Sequence, residues 1–590
     1  MNVTGYPQQQ RTGLARVVPL VGWLRGYRRA TLRHDVIAGL TVAVMLVPQS
    51  MAYASLAGMP PVTGLYSAVV PLVVYALWGT SGSLAVGPVA ITALMTSAAL
   101  APLAGGDPGR YAALAGLLAL LVGAFQVAMG LLRLGKLVTF ISHPVLVGFT
   151  SAAAIVIATS QVKNLFGLDA GRGEAFPATV AELWQSMSTA HALTIAVSAV
   201  SVAGLLLFRR YAPRVPGALL VVAGVTAVSA LLAFGDRGVR ILTEVPAGLP
   251  VPALPSLSAS DAAALLPAAA AIALVGYMEG IAVAKALAAR SRQHVDPDRE
   301  LVAVGAANVS AGAFQAFPVA GGFSRSAVNF SAGARTPVAS LVTAAVVAFT
   351  VALLTPAFYH LPYAVLAAIV MVAVLGLVDH RGALAAWRTR RSDGATVVVT
   401  FVTTLVFGVE PGLAAGVLFS IGALLWRSAR PHTAELGRRP GTETYRNLAR
   451  HDDLVTQPGT AVIRVDGPLY FASAQRVGDQ LFELAEGRDQ LRAIVLDASA
   501  ISDTDVDGAH ALEQLRERLS ARGVSLHLAT VRGPVRDLLR RAGVWHELVN
   551  GGNVHPDIST ALSAIDVPAD LAGVSRRAEP VSEPVSGARA

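Results

Sequence analysis

The chain has 590 residues, 54% of them hydrophobic and only 14% charged, with a formal net charge of +9. Soluble domains carry about 25% charged residues, so a purely soluble protein does not fit and much of the chain belongs in lipid. The absence of cysteine excludes disulfides and thiolate metal sites. Basic residues scattered over many short loops argue against a nucleic-acid partner.

Residues 1–34 lack the apolar core of a cleavable leader and read as a cytoplasmic segment, so the first apolar helix acts as the membrane signal. Stretches near the roughly 20 apolar residues that cross a bilayer predict helices at 35–56, 63–79, 86–101, 111–132, 143–161, 191–208 and 216–234. A second set follows at 262–288, 300–314, 323–336, 338–356, 362–379, 394–409 and 411–428. That makes about fourteen. Cations crowd the segments after even-numbered spans: Arg133 and Lys136; Arg209, Arg210 and Arg214; Arg290 and Arg292; Arg335; Arg381, Arg388, Arg390 and Arg391. Arg16, Arg25, Arg28, Arg29 and Arg33 precede the first span. The positive-inside bias then puts both termini in the cytoplasm of a cell (inner) membrane protein. The net charge reflects that topology and attraction to anionic lipid.

Two short spans open on small-residue breaks, "AVGPVA" in the third and "VAGGFS" in the tenth, at matching places in two sets of seven. Unwound backbone at lipid depth survives only inside protein or beside a water-filled cavity. Paired interrupted spans point to a transporter's substrate site. Each half-helix N-terminus offers about half a positive charge and free N–H groups, and Arg325 adds a full one. An arginine at the bilayer centre costs about 2.5–3.5 kcal/mol on insertion scales. A plain Gly-Pro kink with a snorkelling arginine is the competing account.

"DVIAGLTVAVMLVPQSMAYASLAGMPPVTGLYSAVVP", "GTSGSLAVGPVAITALM" and "VAGGFSRSAVNFSAGARTPVAS" resemble the first, third and tenth spans of the sulfate permease (SulP) family of anion transporters. The likeness runs from about Asp35 through nearly the whole chain. It implies an α-helical polytopic fold of about fourteen spans, built as two inverted seven-helix repeats like the uracil permeases. A core (spans 1–4 and 8–11) would carry substrate past a gate (spans 5–7 and 12–14), within a transport domain over 35–430. The anion site it implies comprises Gln49, Tyr53, Val89, Phe323, Ser324 and Arg325. Ser324 would offer its N–H and hydroxyl, and Arg325 its field. Tyr53 is open to two readings, an extra donor or a packing wedge. Gln49 could instead bond the backbone at Pro48. A homodimer is also implied.

Glu279 is the sole acid of the eighth span, some way from Lys285. An ionised carboxylate is costly in a low-dielectric interior, and intramembrane acids mark ion pathways or proton relays. The resemblance implies a cation-coupling role here. With Val283 rather than a hydroxyl at i+4, proton symport is expected over sodium symport. A Glu279–Arg325 ion pair joining spans 8 and 10 is the structural alternative.

After Arg430 the charge density becomes that of a soluble domain, and strands alternate with helices over 442–566, which argues a small α/β unit. "TAVIRVDGPLYFASA" reads as a strand, a turn and a paired strand. The unit resembles the STAS domain of these permeases and of bacterial anti-sigma factor antagonists. In those antagonists a "D-S-S-G" loop carries a phosphoserine; here "DTDVDG" puts Asp507 at that position. Asp507 either imitates a fixed negative charge or caps the following helix. His510 and His546 read as surface or packing residues. Residues 567–590 are Pro/Ser/Ala-rich and expected to be disordered.

The function expected is secondary active transport of a small anion (sulfate, bicarbonate or a dicarboxylate) by alternating access, with no enzyme activity and no cofactor beyond a coupling proton or sodium. The alternative is a non-transporting membrane sensor or scaffold that signals through the STAS domain to a cytoplasmic partner.

Overall fold

A computed structural model describes residues 18–565, apart from 25–26, 136–141, 170–175, 213–214, 244–245, 256–257, 292 and 294. The expected disorder of 567–590 lies outside the described residues. The chain divides into two compact units, Met1–Ser420 and Ile421–Ala590.

The first unit is helical. A short helix α1 (Pro19–Leu24) precedes α2 (Arg29–Ala57), α3 (Pro61–Tyr66), α4 (Val70–Trp78), strand β1 (Val86–Gly87), α5 (Ala90–Ala104), α6 (Pro108–Leu131) and α7 (His143–Phe166). Then come α8 (Phe176–Gln185), α9 (Ala192–Tyr211), α10 (Gly217–Leu231), α11 (Ala259–Ser291), α12 (Pro297–Ala313), strand β2 (Ala320–Gly321) and α13 (Phe323–Ser331). The set closes with α14 (Val338–Phe349), α15 (Tyr363–Val374), α16 (His380–Thr389), α17 (Arg391–Phe407) and α18 (Val409–Ser428). Each of the fourteen predicted spans contains a helix. Among the described residues, eight are long and apolar enough to cross a membrane. Helices α1, α8 and α16 were not predicted, because each is too short or too polar to read as a span.

Helix pairing repeats when every span is exchanged for the one seven places along. The contact of α2 with α14 matches that of α11 with α6, and α4 with α14 matches α12 with α6. Likewise α2 with α5 matches α11 with α13, and α7 with α17 matches α15 with α9. The strands that open the two broken spans pair antiparallel, Val86 opposite Gly321 and Gly87 opposite Ala320, so the repeats meet head to head.

Packing also sorts the helices into two groups, α2 to α6 with α11 to α14, and α7, α9 and α10 with α15 and α17. Between the groups the symmetry fails. Helix α2 packs on α7, α10 and α15, and α5 packs on α7. The equivalent faces of α11 and α13 make no contact of comparable extent among the described residues.

Helices in lipid gain little from burying apolar faces against each other, so they associate by close approach of small residues. Gly116, Gly123 and Gly130, one heptad apart on α6, face Gly305 and Gly312 of α12. A methyl on Gly123 would stand 2.6 Å from the Gly305 carbonyl oxygen, and one on Gly312 2.5 Å from that of Gly116.

Two buried carboxylates tie down the broken spans. Glu300 accepts from the Tyr75 hydroxyl (3.0 Å), the Thr80 hydroxyl and N–H (2.5 Å each) and the Ser81 N–H (3.0 Å). Asp35 accepts from the Tyr27 hydroxyl (2.8 Å), the Thr336 hydroxyl (2.6 Å) and the N–H groups of Arg335 (2.7 Å) and Thr336 (3.2 Å). Each acid thus holds a loop by two adjacent N–H groups, one threonine and one tyrosine. One loop leads into the third span and the other leaves the tenth.

The second unit is an α/β sandwich. Strands β3 (His432–Arg438), β4 (Tyr445–Asn447), β5 (Thr460–Asp466), β6 (Ala493–Asp497), β7 (Ser525–Ala529) and β8 (Val554–His555) form one sheet, in the order β4-β3-β5-β6-β7-β8. Pairs from β5 to β8 are parallel, and β3 is antiparallel to both β4 and β5. Helices α19 (Ala474–Glu486), α20 (Val506–Ser520), α21 (Gly533–Arg541), α22 (Val544–Asn550) and α23 (Ile558–Ser563) cover it. Two expectations are corrected here. The sheet begins at His432, upstream of 442, and the antiparallel partner of β5 is β3 rather than "LYFASA". That stretch turns instead: Ser473 N–H bonds the Tyr470 carbonyl (2.8 Å) and its hydroxyl the Pro468 carbonyl (3.0 Å).

Candidate substrate site

The site is built on the two breaks. "VGPVA" cannot continue a helix backwards: Pro88 lacks an N–H, and Val89, the N-cap of α5, is extended (φ −131°, ψ 155°). In the tenth span Gly322 is the extended N-cap of α13 (φ −86°, ψ 124°). The β1–β2 pairing sets these two N-termini side by side, and the Gly322 N–H bonds the Ala85 carbonyl (3.0 Å).

Side chains of α13 hold the opposite repeat. Ser326 donates to Gly322 O (2.7 Å) and accepts from the Ala85 N–H (2.9 Å). Asn329 donates to Ser83 O (3.0 Å). On the other approach, Asn308 of α12 brackets Val319, accepting its N–H (2.7 Å) and donating to its carbonyl (3.0 Å). Gln126 of α6 accepts from the Asn308 amide (2.9 Å) and donates to Ala273 O (3.1 Å). None of these four was singled out from the sequence. Polar Gln126 and Asn308 within apolar spans were the available signal.

Arg325 lies between the breaks, 2% exposed. Its Nη1 donates to Pro88 O (2.5 Å), while Nε and Nη2 are buried without a hydrogen-bond partner. A methyl on Gly322 would stand 2.8 Å from Nη2, and one on Gly87 3.4 Å from it; both glycines make room for the guanidinium. It does not snorkel. Arg325 lies near enough to Glu279 and to the Tyr53 hydroxyl for its charge to act on both. No ion pair within 4.0 Å joins Glu279 to Arg325 among the described residues, so the direct pair considered as the structural alternative does not form. Glu279 is half-buried, with Oε2 fully buried and unpartnered.

The remaining expected residues divide by exposure. Val89 (5%) and Tyr53 (7%) are buried, and Gln49 is half-buried. Helix α2 runs unbroken through Pro48, and the Gln49 side chain bonds no backbone there among the described residues. Phe323 is 64% exposed and Ser324 is exposed. The start of α13 is therefore exposed at Phe323 and Ser324, whereas the start of α5 is covered at Val89, in a helix that also packs against α7. Two clefts of about 410 and 370 Å³ lie elsewhere, the first along β3, β4 and α23 and the second at Asp107, Arg110 and Asp261.

Residues 32–400 match the sulfate permease family and residues 453–561 the STAS domain. The chain belongs to the sulfate permease family. The permease is 37% identical over 549 residues to sulfate transporter 4.1, chloroplastic, of Arabidopsis thaliana, covering 89% of this chain and 79% of that protein. It is 37% identical over 547 residues to the probable sulfate transporter Rv1739c of Mycobacterium tuberculosis, covering 92% and 97%. Its fold is that of SLC26A9, with a TM-score of 0.86 at 23% identity over 97% of this chain and 98% of that one. The transmembrane domain of the cyanobacterial bicarbonate transporter BicA matches with a TM-score of 0.58 at 25% identity, covering 67% and 99%. The permease is thus a multi-pass α-helical membrane protein with a STAS domain.

In the STAS domain the cap of α20 is Asp505, whose carboxylate accepts from the Gly508 N–H (2.8 Å). Asp507, expected as the alternative cap, is exposed in the first turn. Thr504 is 3% exposed and bonds the Leu469 carbonyl (2.9 Å). His510 and His546 are exposed. Two other histidines escaped notice: His527 on β7 and His555 on β8, each 7% exposed, are 3.0 Å apart, Nδ1 to Nε2. Burial and the neighbouring imidazole push His527 down to about 4. Their separation of 28 residues hides the pair in the sequence.

Proposed function

We propose that this permease carries a small oxyanion (sulfate, bicarbonate or a dicarboxylate) across the cell membrane by proton-coupled symport. The observation that carries this reading is the juxtaposition of the α5 and α13 N-termini beside a buried guanidinium with two unpartnered nitrogens. Free N–H groups and about one summed dipole charge face the opening there, and Arg325 adds its field from behind. The anion rests on the backbone at Val89 and at Phe323–Ser324, with the Ser324 hydroxyl, Tyr53 and Gln49 around it. Glu279 faces the same charges with a free oxygen and takes or releases the proton.

Alternating access follows from the two packing groups. The group holding both breaks is the core and the other is the gate. The lopsided contact between them, with Phe323 and Ser324 exposed at the start of α13 and Val89 covered at the start of α5, supports this reading; motion to the mirrored arrangement would expose the α5 side instead. Both termini face the cytoplasm, and the permease works as a homodimer. The names of its relatives support an inorganic anion as substrate.

The test is uptake of sulfate, bicarbonate and succinate into proteoliposomes, with and without an inward proton gradient. Gradient-stimulated uptake of one anion, uncoupled or abolished by Glu279→Gln, is the expected result. Uptake unchanged by the gradient would refute proton coupling, and a sharp loss on replacing sodium by choline would make sodium the coupling ion. Folded protein that moves none of the three would favour a sensor acting through its STAS domain.

A further inference from the structure

We propose that α16 and the start of α17 form a seat for anionic phospholipid headgroups at the edge of the gate group. Helix α16 contains no buried residue. Arg381, Leu384, Ala385 and Arg388 follow the i, i+3, i+4, i+7 stripe of one helical face, and all four are exposed. Trp387 lies on its flank; Leu384 and Trp387 are each 50% exposed. An apolar edge beside a basic one is the pattern of a helix lying in the membrane interface, and tryptophan favours that level.

The chain geometry places this helix at the boundary. A single extended residue, Arg390 (φ −156°, ψ 124°), separates α16 from α17, so the two helices cannot be collinear. Trp387 packs on the first turn of α17, where a methyl on Gly394 would stand 2.3 Å from its ring. Helix α16 therefore folds across the base of α17. Farther up, α17 exposes Val398, Val402, Val406 and Phe407, an apolar stripe facing lipid. The first of these is seven residues above Arg391, about 10 Å at 1.5 Å per residue. That rise carries the chain from headgroup level into the acyl region.

Charge selects the occupant. Arg381, Arg388, Arg390 and Arg391 are exposed, and their guanidinium groups have no carboxylate partner among the described residues. The two nearby acids are engaged locally: Asp379 accepts from the Gly382 N–H (2.7 Å) and Asp393 from the Ser392 hydroxyl (3.3 Å). Arg209 and Arg210 at the end of α9 are exposed as well, and Arg209 reaches the Val372 carbonyl (3.5 Å) near the chain that leads to α16. Arginines beside an exposed Trp-Leu edge match a phosphate headgroup above acyl chains.

The chain has no cysteine, so Leu384→Cys creates a unique labelling point on an exposed residue. The full-length variant, labelled with a fluorophore, is reconstituted in phosphatidylcholine vesicles doped with brominated phosphatidylglycerol or brominated phosphatidylcholine. Quenching by both lipids is expected, stronger with the glycerol lipid. Each arginine at a charged surface is worth about a fivefold change in affinity. The triple change R381Q/R388Q/R391Q should therefore cut the preference at least tenfold, toward unity, with unchanged elution on gel filtration. Absence of quenching by either lipid would put the helix in water or under protein and overturn the proposal. Equal quenching by both, or a preference untouched by the triple change, would overturn it as well.

Discussion

Arg325→Met separates the electrostatic role of the guanidinium from any structural one. The native side chain makes one hydrogen bond, to Pro88, and keeps two nitrogens buried without partners. Methionine fills a similar shape and removes an imperfectly compensated buried charge, a change that is often neutral or stabilising. The Pro88 carbonyl that Arg325 binds stands two residues before the first turn of α5, so an anion on the α5 N–H groups lies within roughly 5–10 Å of the charge. At an effective dielectric of about 20 that separation is worth about 1.7–3.3 kcal/mol, or roughly 15- to 250-fold in affinity. Anion binding followed by calorimetry should weaken by that factor, while the melting temperature of the empty protein holds or rises. Affinity within threefold of the parent would refute the field argument. A lower melting temperature with normal affinity would make Arg325 a strut between the repeats.

Glu300→Gln turns an amide donor toward a nest of N–H and hydroxyl donors, so about 1–3 kcal/mol of stability should be lost per group left unpaired, measured as a drop in thermal midpoint. Asn308→Leu strands the Val319 N–H and carbonyl, and should raise KM for the anion more than it lowers the yield of folded protein. Asp505→Ala should cost about 1 kcal/mol of STAS stability for the lost cap, with Asp507→Ala nearer neutral; chemical denaturation compares them. The His527–His555 pair resists protonation when folded but not when unfolded. STAS stability should therefore be full above about pH 6.5 and decline as pH falls toward about 4, a slope that His527→Gln should flatten.

What could be read from the sequence follows physical range. The spans were legible because lipid demands long apolar runs, and the two breaks because glycine and proline in such runs need a reason. The clustering of Tyr53, Glu279 and Arg325 followed only from the family resemblance; no local pattern links residues on α2, α11 and α13. Beyond reach were features made by distant partners. Glu300 sits in the first turn of α12, where an acid is ordinary, and Asp35 borders the first apolar run of the sequence; their clamps on Thr80 and Thr336 need the fold to appear. Strand β3 was hidden by the polar run "HTAELGRR", which pairs only because β5 supplies its apolar face. The cap of α20 was misplaced by two residues, because Asp505 and Asp507 carry the same chemistry and only backbone geometry separates them.

Four residues, Val86, Gly87, Ala320 and Gly321, hold one half of the transport unit to the other at its centre. A ladder so brief cannot stretch; if it parts, the cradle no longer exists. In the proposed mechanism the two broken spans, and the core group that contains them, therefore travel as a single block with their cargo, and the grip on an anion is the same whichever bath loaded it. Under the proposed mechanism direction comes from the gradients alone, and transport should run backwards as readily as forwards when they are reversed.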